Sequence, residues 1–163
     1  MRNDTRRLTC LALMVTFALL LSYVESRIPT LVAIPGVKVG LANIATVFAL
    51  YKLGAKEAIA ISAVRVVLVS LLFGNPVSMI YSLAGAMVSL SAMLLLKRFV
   101  AIKEVAVSVC GGVMHNVAQI AVAALILDTG VVAYYLPFLI FSGTVSGIAV
   151  GVAGALLIKR VRI

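Results

Sequence analysis

Within its long apolar runs the chain carries a few residues that lipid does not tolerate. Arg65 stands in the middle of one run, and His115, Asn116 and Gln119 cluster in another. Asn43, Tyr81, Ser82 and Ser142 lie in others. An ionisable group at that depth is costly and marks function by default. The planar fork of an arginine donates in pairs to a carboxylate, a phosphate or a carbonyl. Amides donate and accept, so Asn43, Asn116 and Gln119 suit the neutral polar side of a ligand. His115 and Gln119 are four apart and share one helix face, with Asn116 about 100° away. The competing account is hydrogen bonding between helices with no ligand. It explains any single Asn or Ser well, and Arg65 poorly. The expectation is one polar cavity opening outward, built from Asn43, Arg65, Asn75, Tyr81, His115, Asn116 and Gln119, with Arg65 as its intramembrane cation. His115 could relay a proton, but no carboxylate lies inside an expected span to share it.

Other chemistries lack their residues. The acids are Asp4, Glu25, Glu57, Glu104 and Asp128, and no two are close in sequence. Magnesium–diphosphate chemistry needs clustered carboxylates. With one histidine there is no bis-histidine haem pair, and there is no P-loop and no Ser/His/Asp set. Cys10 and Cys110 form neither a CxxC pair nor a zinc-ligand set. No catalytic residue, metal ligand or required cofactor is therefore assigned. The residues suit binding and passing a molecule, or partnering, better than covalent catalysis.

The elements that position these residues must be membrane helices. The 163 residues are 64% apolar and 12% charged, with a mean hydropathy of +1.23. Soluble domains are nearer ~45–50% apolar and ~25% charged, and disorder needs the opposite bias. Six apolar runs are expected to span at about 8–24, 39–53, 57–73, 77–96, 104–127 and 136–158, in an all-α, single-domain bundle. The second is short enough to be covered by neighbours rather than lipid. The first follows Arg2, Arg6 and Arg7 and is read as an uncleaved helix, with no small-x-small site before Glu25. Residues 25–38 are expected to be a loop with an apolar stretch at Leu31–Ile34.

The net charge of +9 is a topology signal rather than a nucleic-acid surface, because the basic residues punctuate the apolar runs. With both termini cytoplasmic, the inner segments hold Arg2, Arg6, Arg7, Lys52, Lys56, Lys97, Arg98, Lys103, Lys159, Arg160 and Arg162, and the outer ones only Arg27 and Lys38. That asymmetry supports six spans. Arg27 and Lys38 would flank the mouth of the cavity and attract anions, or anchor the chain at the interface. Gly143, Gly147 and Gly151 make two overlapping GxxxG motifs, and Ala12/Thr16 and Ala18/Ser22 repeat the spacing on the first helix. Such residues serve internal packing or, as expected of Ala12, Thr16 and the three glycines, docking of a partner membrane subunit.

Three blocks carry a resemblance over nearly the whole chain. They are Pro35-Gly36-Val37-Lys38-Val39-Gly40-Leu41-Ala42-Asn43, then Phe73-Gly74-Asn75-Pro76 with Tyr81-Ser82-Leu83-Ala84-Gly85, then Gly112-Val113-Met114-His115-Asn116-Val117-Ala118-Gln119. In this order they resemble the Gx transporter family, also labelled heptaprenyl diphosphate synthase component I. That family looks like the substrate-binding S components of energy-coupling-factor transporters. The resemblance implies a small six-helix bacterial plasma-membrane protein with an outward pocket, working with a coupling subunit and paired ATPases. S components usually carry Ala-x-x-x-Ala on the first helix; here the nearest matches are Ala12/Thr16 and Ala18/Ser22. Relatives also occur in loci for flavin-based extracellular electron transfer, where quinone or flavin would be the cofactor. Three functions follow: a transporter-type binding subunit for a small polar or anionic molecule, a membrane subunit of electron transfer, or a non-catalytic accessory of prenyl diphosphate synthesis. The expected partners are the bilayer, a small ligand and another membrane subunit, with no nucleic acid.

Overall fold

The computed structural model describes residues 2–27, 40–100 and 102–161, with side chains from Thr5 onward. It is all-helical among those residues. The helices are α1 (Arg2–Arg27), α2 (Asn43–Lys52), α3 (Ala55–Phe73), α4 (Pro76–Phe99), α5 (Glu104–Ile126) and α6 (Leu136–Arg160). A 3-10 helix at Gly130–Tyr135 leads into α6. Four stretches are long and apolar enough to cross a bilayer: Thr5–Arg27, Pro76–Phe99, Glu104–Ile126 and Gly130–Arg160. Their large apolar side chains, such as Leu13, Leu20, Met87, Leu125 and Phe141, point outward, as lipid-facing helices require.

The two remaining helices are different in kind. α3 has 19 residues, about 28 Å at 1.5 Å each, but it carries Lys56, Glu57 and Arg65. α2 has ten residues, about 15 Å, against a hydrocarbon layer of about 30 Å. The expected second span, 39–53, is thus not a full-length helix. It is instead the centre of the core: Ala45, Thr46, Val47, Phe48, Ala49 and Leu50 are all buried. Around them pack Ala18 of α1, Ala58 and Ile61 of α3, Leu90 and Met93 of α4, Val107 of α5 and Val150 of α6. A helix that is apolar all round belongs inside a bundle.

The ends of the helices sort by charge. Arg7 of α1 pairs with Glu57 of α3 and donates to the Leu53 carbonyl. Lys97 of α4 donates to the Leu50 carbonyl of α2 and lies 4.6 Å from the centre of the Tyr51 ring. The Tyr51 hydroxyl donates to the Ile102 carbonyl just before α5. One end of the bundle therefore gathers the start of α1, the end of α2, the start of α3, the end of α4 and the start of α5. These cations also close the C-terminus of α2, where orphan carbonyls and the negative dipole end need partners.

The turns obey local rules. Asn75 caps α4 in a reciprocal capping box with Ser78, followed by Pro76 in the first turn. Asp128, at φ 47°, takes the left-handed conformation after α5, which a short polar side chain tolerates. The expected loop begins later than 25, because Glu25, Ser26 and Arg27 belong to α1. Its remainder, with Leu31–Ile34 and Lys38, lies outside the described residues.

Candidate functional site: a polar cavity above a half-length helix

The shortness of α2 makes the site. Its first residue, Asn43, meets Arg65 of α3, whose Nη2 donates to Asn43 Oδ1 at 3.4 Å. Arg65 is ten residues from the start of α3 and eight from its end, so α2 begins near mid-bundle and runs to the basic end. Above its start the column is a cavity of about 90 Å³.

Every helix contributes to the wall, each by one face. α1 gives Ser22, Glu25 and Ser26; the segment entering α2 gives Gly40 and Asn43. α3 gives Arg65, Val66, Val69, Ser70 and Phe73 at helical spacing, with Gly74 beyond it. α4 gives Ser78 and Ser82, α5 gives Gly112, His115, Asn116 and Gln119, and α6 gives Ser146. Hydroxyls and amides dominate, and among the described residues the charges are Arg65 and Glu25.

Arg65 is incompletely satisfied. Its Nε is fully buried and makes no hydrogen bond, and the Nη2 bond to Asn43 is long. Glu25 lies near enough to attract the arginine electrostatically. One Glu25 oxygen accepts from the Gly40 N–H, which ties the end of α1 to the entry of α2. Gly40, at φ 75°, sits in the left-handed region that favours glycine. Asn116 is buried, and its amide donates to the Leu139 carbonyl of α6 at 2.7 Å; it ties two helices as well as lining the wall. Gln119, 7% exposed, faces the same space. His115 packs on bare backbone: a Cβ on Gly85 would stand 2.6 Å from its Cε1.

Asn43, Arg65, His115, Asn116 and Gln119 are thus brought together. Asn75 and Tyr81 are not part of this wall: Asn75 is exposed and spends its side chain capping α4, and Tyr81 is half-buried. Arg27 is exposed at the end of α1; it lies 5.0 Å from the Tyr23 ring and donates to its hydroxyl. Tyr23 in turn meets Phe73 at 5.4 Å, so an aromatic pair joins α1 to α3 beside the cavity. Lys38 lies outside the described residues.

The glycine stripe packs inside the bundle. Gly143, Gly147 and Gly151 are buried against α5: a Cβ would come within 2.8 Å of the Gly112 carbonyl, 2.6 Å of Val109 Cα and 2.7 Å of Val105 Cα, respectively. Small residues there let two backbones touch, so α5 covers the stripe itself. Ala12 and Thr16 are exposed on α1, with the Thr16 hydroxyl donating back to the Ala12 carbonyl. Ala18 and Ser22 are buried.

The sequence missed Glu25, Ser22, Ser70, Ser78, Gly85 and Ser146. For three serines the signal existed, since Ser22 lies one turn from Ala18, Ser78 one turn from Ser82 and Ser146 one turn from Ser142; Ser70, five residues from Arg65, had none. Glu25 was hidden by being placed in a loop.

No curated protein and no solved structure matches the chain. The sequence model of one family does, over residues 14–157, which hold every wall residue named above. That match spans most of the chain, and by it the chain belongs to the heptaprenyl diphosphate synthase component I family.

Proposed function

We propose that the protein is a membrane-embedded binding subunit of the transporter type, whose cavity takes a small polar molecule from the outer side. The observation that supports it best is Arg65. A buried guanidinium with an unpaired Nε is costly, and an acceptor entering the cavity would complete it. The start of α2 at the cavity floor adds the positive end of a helix dipole. In this reading the chain crosses six times with both termini cytoplasmic, the basic end faces the cytoplasm, and the cavity opens outward. α2 makes the inner part of the second crossing. The setting is a bacterial plasma membrane, and Ala12 and Thr16 on the exposed side of α1 remain the candidate contact for a partner subunit. Asn75 and Tyr81 are left out of the ligand site.

Size bears on the alternatives. An apolar cavity of about 150 Å³ takes a benzene ring, and this one holds about 90 Å³. A three-ring flavin would need the helices to part. The family's name speaks of a component and so of a partner; an accessory role beside a prenyl synthase is compatible with that name and would show as co-purification with the synthase.

The test is native mass spectrometry of gently solubilised protein, with chemical identification of what stays bound, on wild type and Arg65→Ala. A small polar metabolite that is retained by wild type and lost at least ten-fold in the variant, at unchanged thermal stability, is the expected result. Charge-assisted hydrogen bonds are worth about 1.5–3 kcal/mol, so ten-fold is the low end. Retention by Arg65→Ala would remove the site, and a flavin or quinone in the cavity would move the protein to electron transfer.

A further inference from the structure

Among the described residues, the cavity wall holds one positive and one negative side chain, Arg65 and Glu25, with uncharged groups and His115 around them. Each has capacity to spare. Arg65 has its orphan Nε. Glu25 uses one oxygen on the Gly40 N–H, and a carboxylate offers about four acceptor sites. A simple anion entering this space would gain Arg65 but meet the Glu25 charge, and like charges at close quarters are unfavourable in a low-dielectric site. A simple cation would meet the reverse. A molecule with an anionic and a cationic end satisfies both and brings no net charge into the bilayer interior.

We propose that the ligand is a small zwitterion, its carboxylate or equivalent acid held by Arg65 and its ammonium by Glu25. This rests on the binding-subunit reading and narrows it from a polar or anionic molecule to one of zero net charge. Volume narrows it further: at about 150 Å³ for the six atoms of benzene, the cavity's 90 Å³ encloses about four non-hydrogen atoms, and its open mouth leaves room for the few more of a short amino acid. Asn43 and Gln119 would then serve the polar groups between the two ends.

Three matched series test this on purified protein in lipid nanodiscs, by calorimetric titration. Glycine, β-alanine and 4-aminobutyrate are the zwitterions, with their charges progressively further apart. Acetate, propionate and butyrate lack the ammonium; methyl-, ethyl- and propylammonium lack the acid. One zwitterion is expected to bind at least ten-fold tighter than its matched acid and its matched amine. Glu25→Gln is the informative variant, because an amide oxygen still accepts from the Gly40 N–H while the charge is gone. It is expected to lose that preference at least ten-fold and to bind the acid more tightly than wild type does. An acid that outbinds its zwitterion in wild type, through Arg65, would overturn the zwitterion while leaving a binding subunit in place. Binding by none of the nine also overturns it, and the wider reading is then decided separately by the ligand that Arg65→Ala does or does not retain.

Discussion

Single atoms decide how the cavity is built. Asn116 looks like a ligand group in the sequence, yet its amide already bonds the Leu139 carbonyl, and Gly143 leaves room for it, since a Cβ there would stand 2.9 Å from Nδ2. His115 depends in the same way on Gly85. A methyl group at residue 85 would press on the ring at Cε1, Nδ1 and Nε2, all under 3 Å. A ring at the end of a side chain can swing where backbone cannot. Gly85→Ala is therefore expected to turn His115 toward the cavity and cut ligand affinity several-fold, with a stability cost near the low end of the ~1–3 kcal/mol typical of overpacking. The pair Gly85→Ala with His115→Ala should recover the stability of His115→Ala alone. If the double variant is instead the sum of the two single losses, the ring and the glycine do not act on each other.

At the scale of elements, α5 and α6 share the most extensive interface in the bundle, and glycine sets its closeness. At Gly147 an added Cβ would meet Val109 Cα at 2.6 Å and the Ser108 carbonyl at 3.0 Å. These are backbone atoms, so the helices themselves must separate. Gly147→Ala is expected to lower thermal stability in detergent by an amount equivalent to about 1–3 kcal/mol. Gly130, with nothing within 4 Å, is the control, and Gly130→Ala should be near neutral. Equal melting temperatures for the two would show that the stripe does not set the packing. The spacing of these glycines was plain in the sequence, but the partner was not, because GxxxG serves an internal helix as readily as an external one. The long apolar runs of α1, α4, α5 and α6 were legible for the opposite reason: their hydropathy alone dictates burial in lipid or protein. α2 was legible as apolar and short, but not as the half-helix whose missing turns leave the cavity. Nothing in its composition says where in depth it starts; that follows from Asn43 meeting Arg65.

The whole molecule is polar in charge along its axis. Among described residues, Arg6, Arg7, Lys52, Lys56, Lys97, Arg98 and Lys103 belong to helix termini that contacts bring to one end. Lys159 and Arg160 join them, because Gly151 of α6 lies against Val105 near the start of α5. At the opposite end stand Arg27, the Asn75 turn and the 3-10 helix, where Tyr134 is 86% exposed and Tyr135 about half so. Tyrosines at one end and cations at the other fit the orientation proposed above, with the basic end toward the cytoplasm. The sequence carried the charge asymmetry; the structure adds that several of these cations also close helix ends, so removing them would disturb folding as well as orientation. A topology test should therefore avoid them. With Cys10 and Cys110 replaced by alanine, single cysteines at Asn75 or Val131 are expected to react with a membrane-impermeant maleimide in intact cells. A cysteine at Ile102, between α4 and α5, should react only after permeabilisation. Labelling of residue 102 from outside would invert the bundle, and the cavity with its Arg65 would then open to the cytoplasm as an exit or effector site rather than a site of uptake.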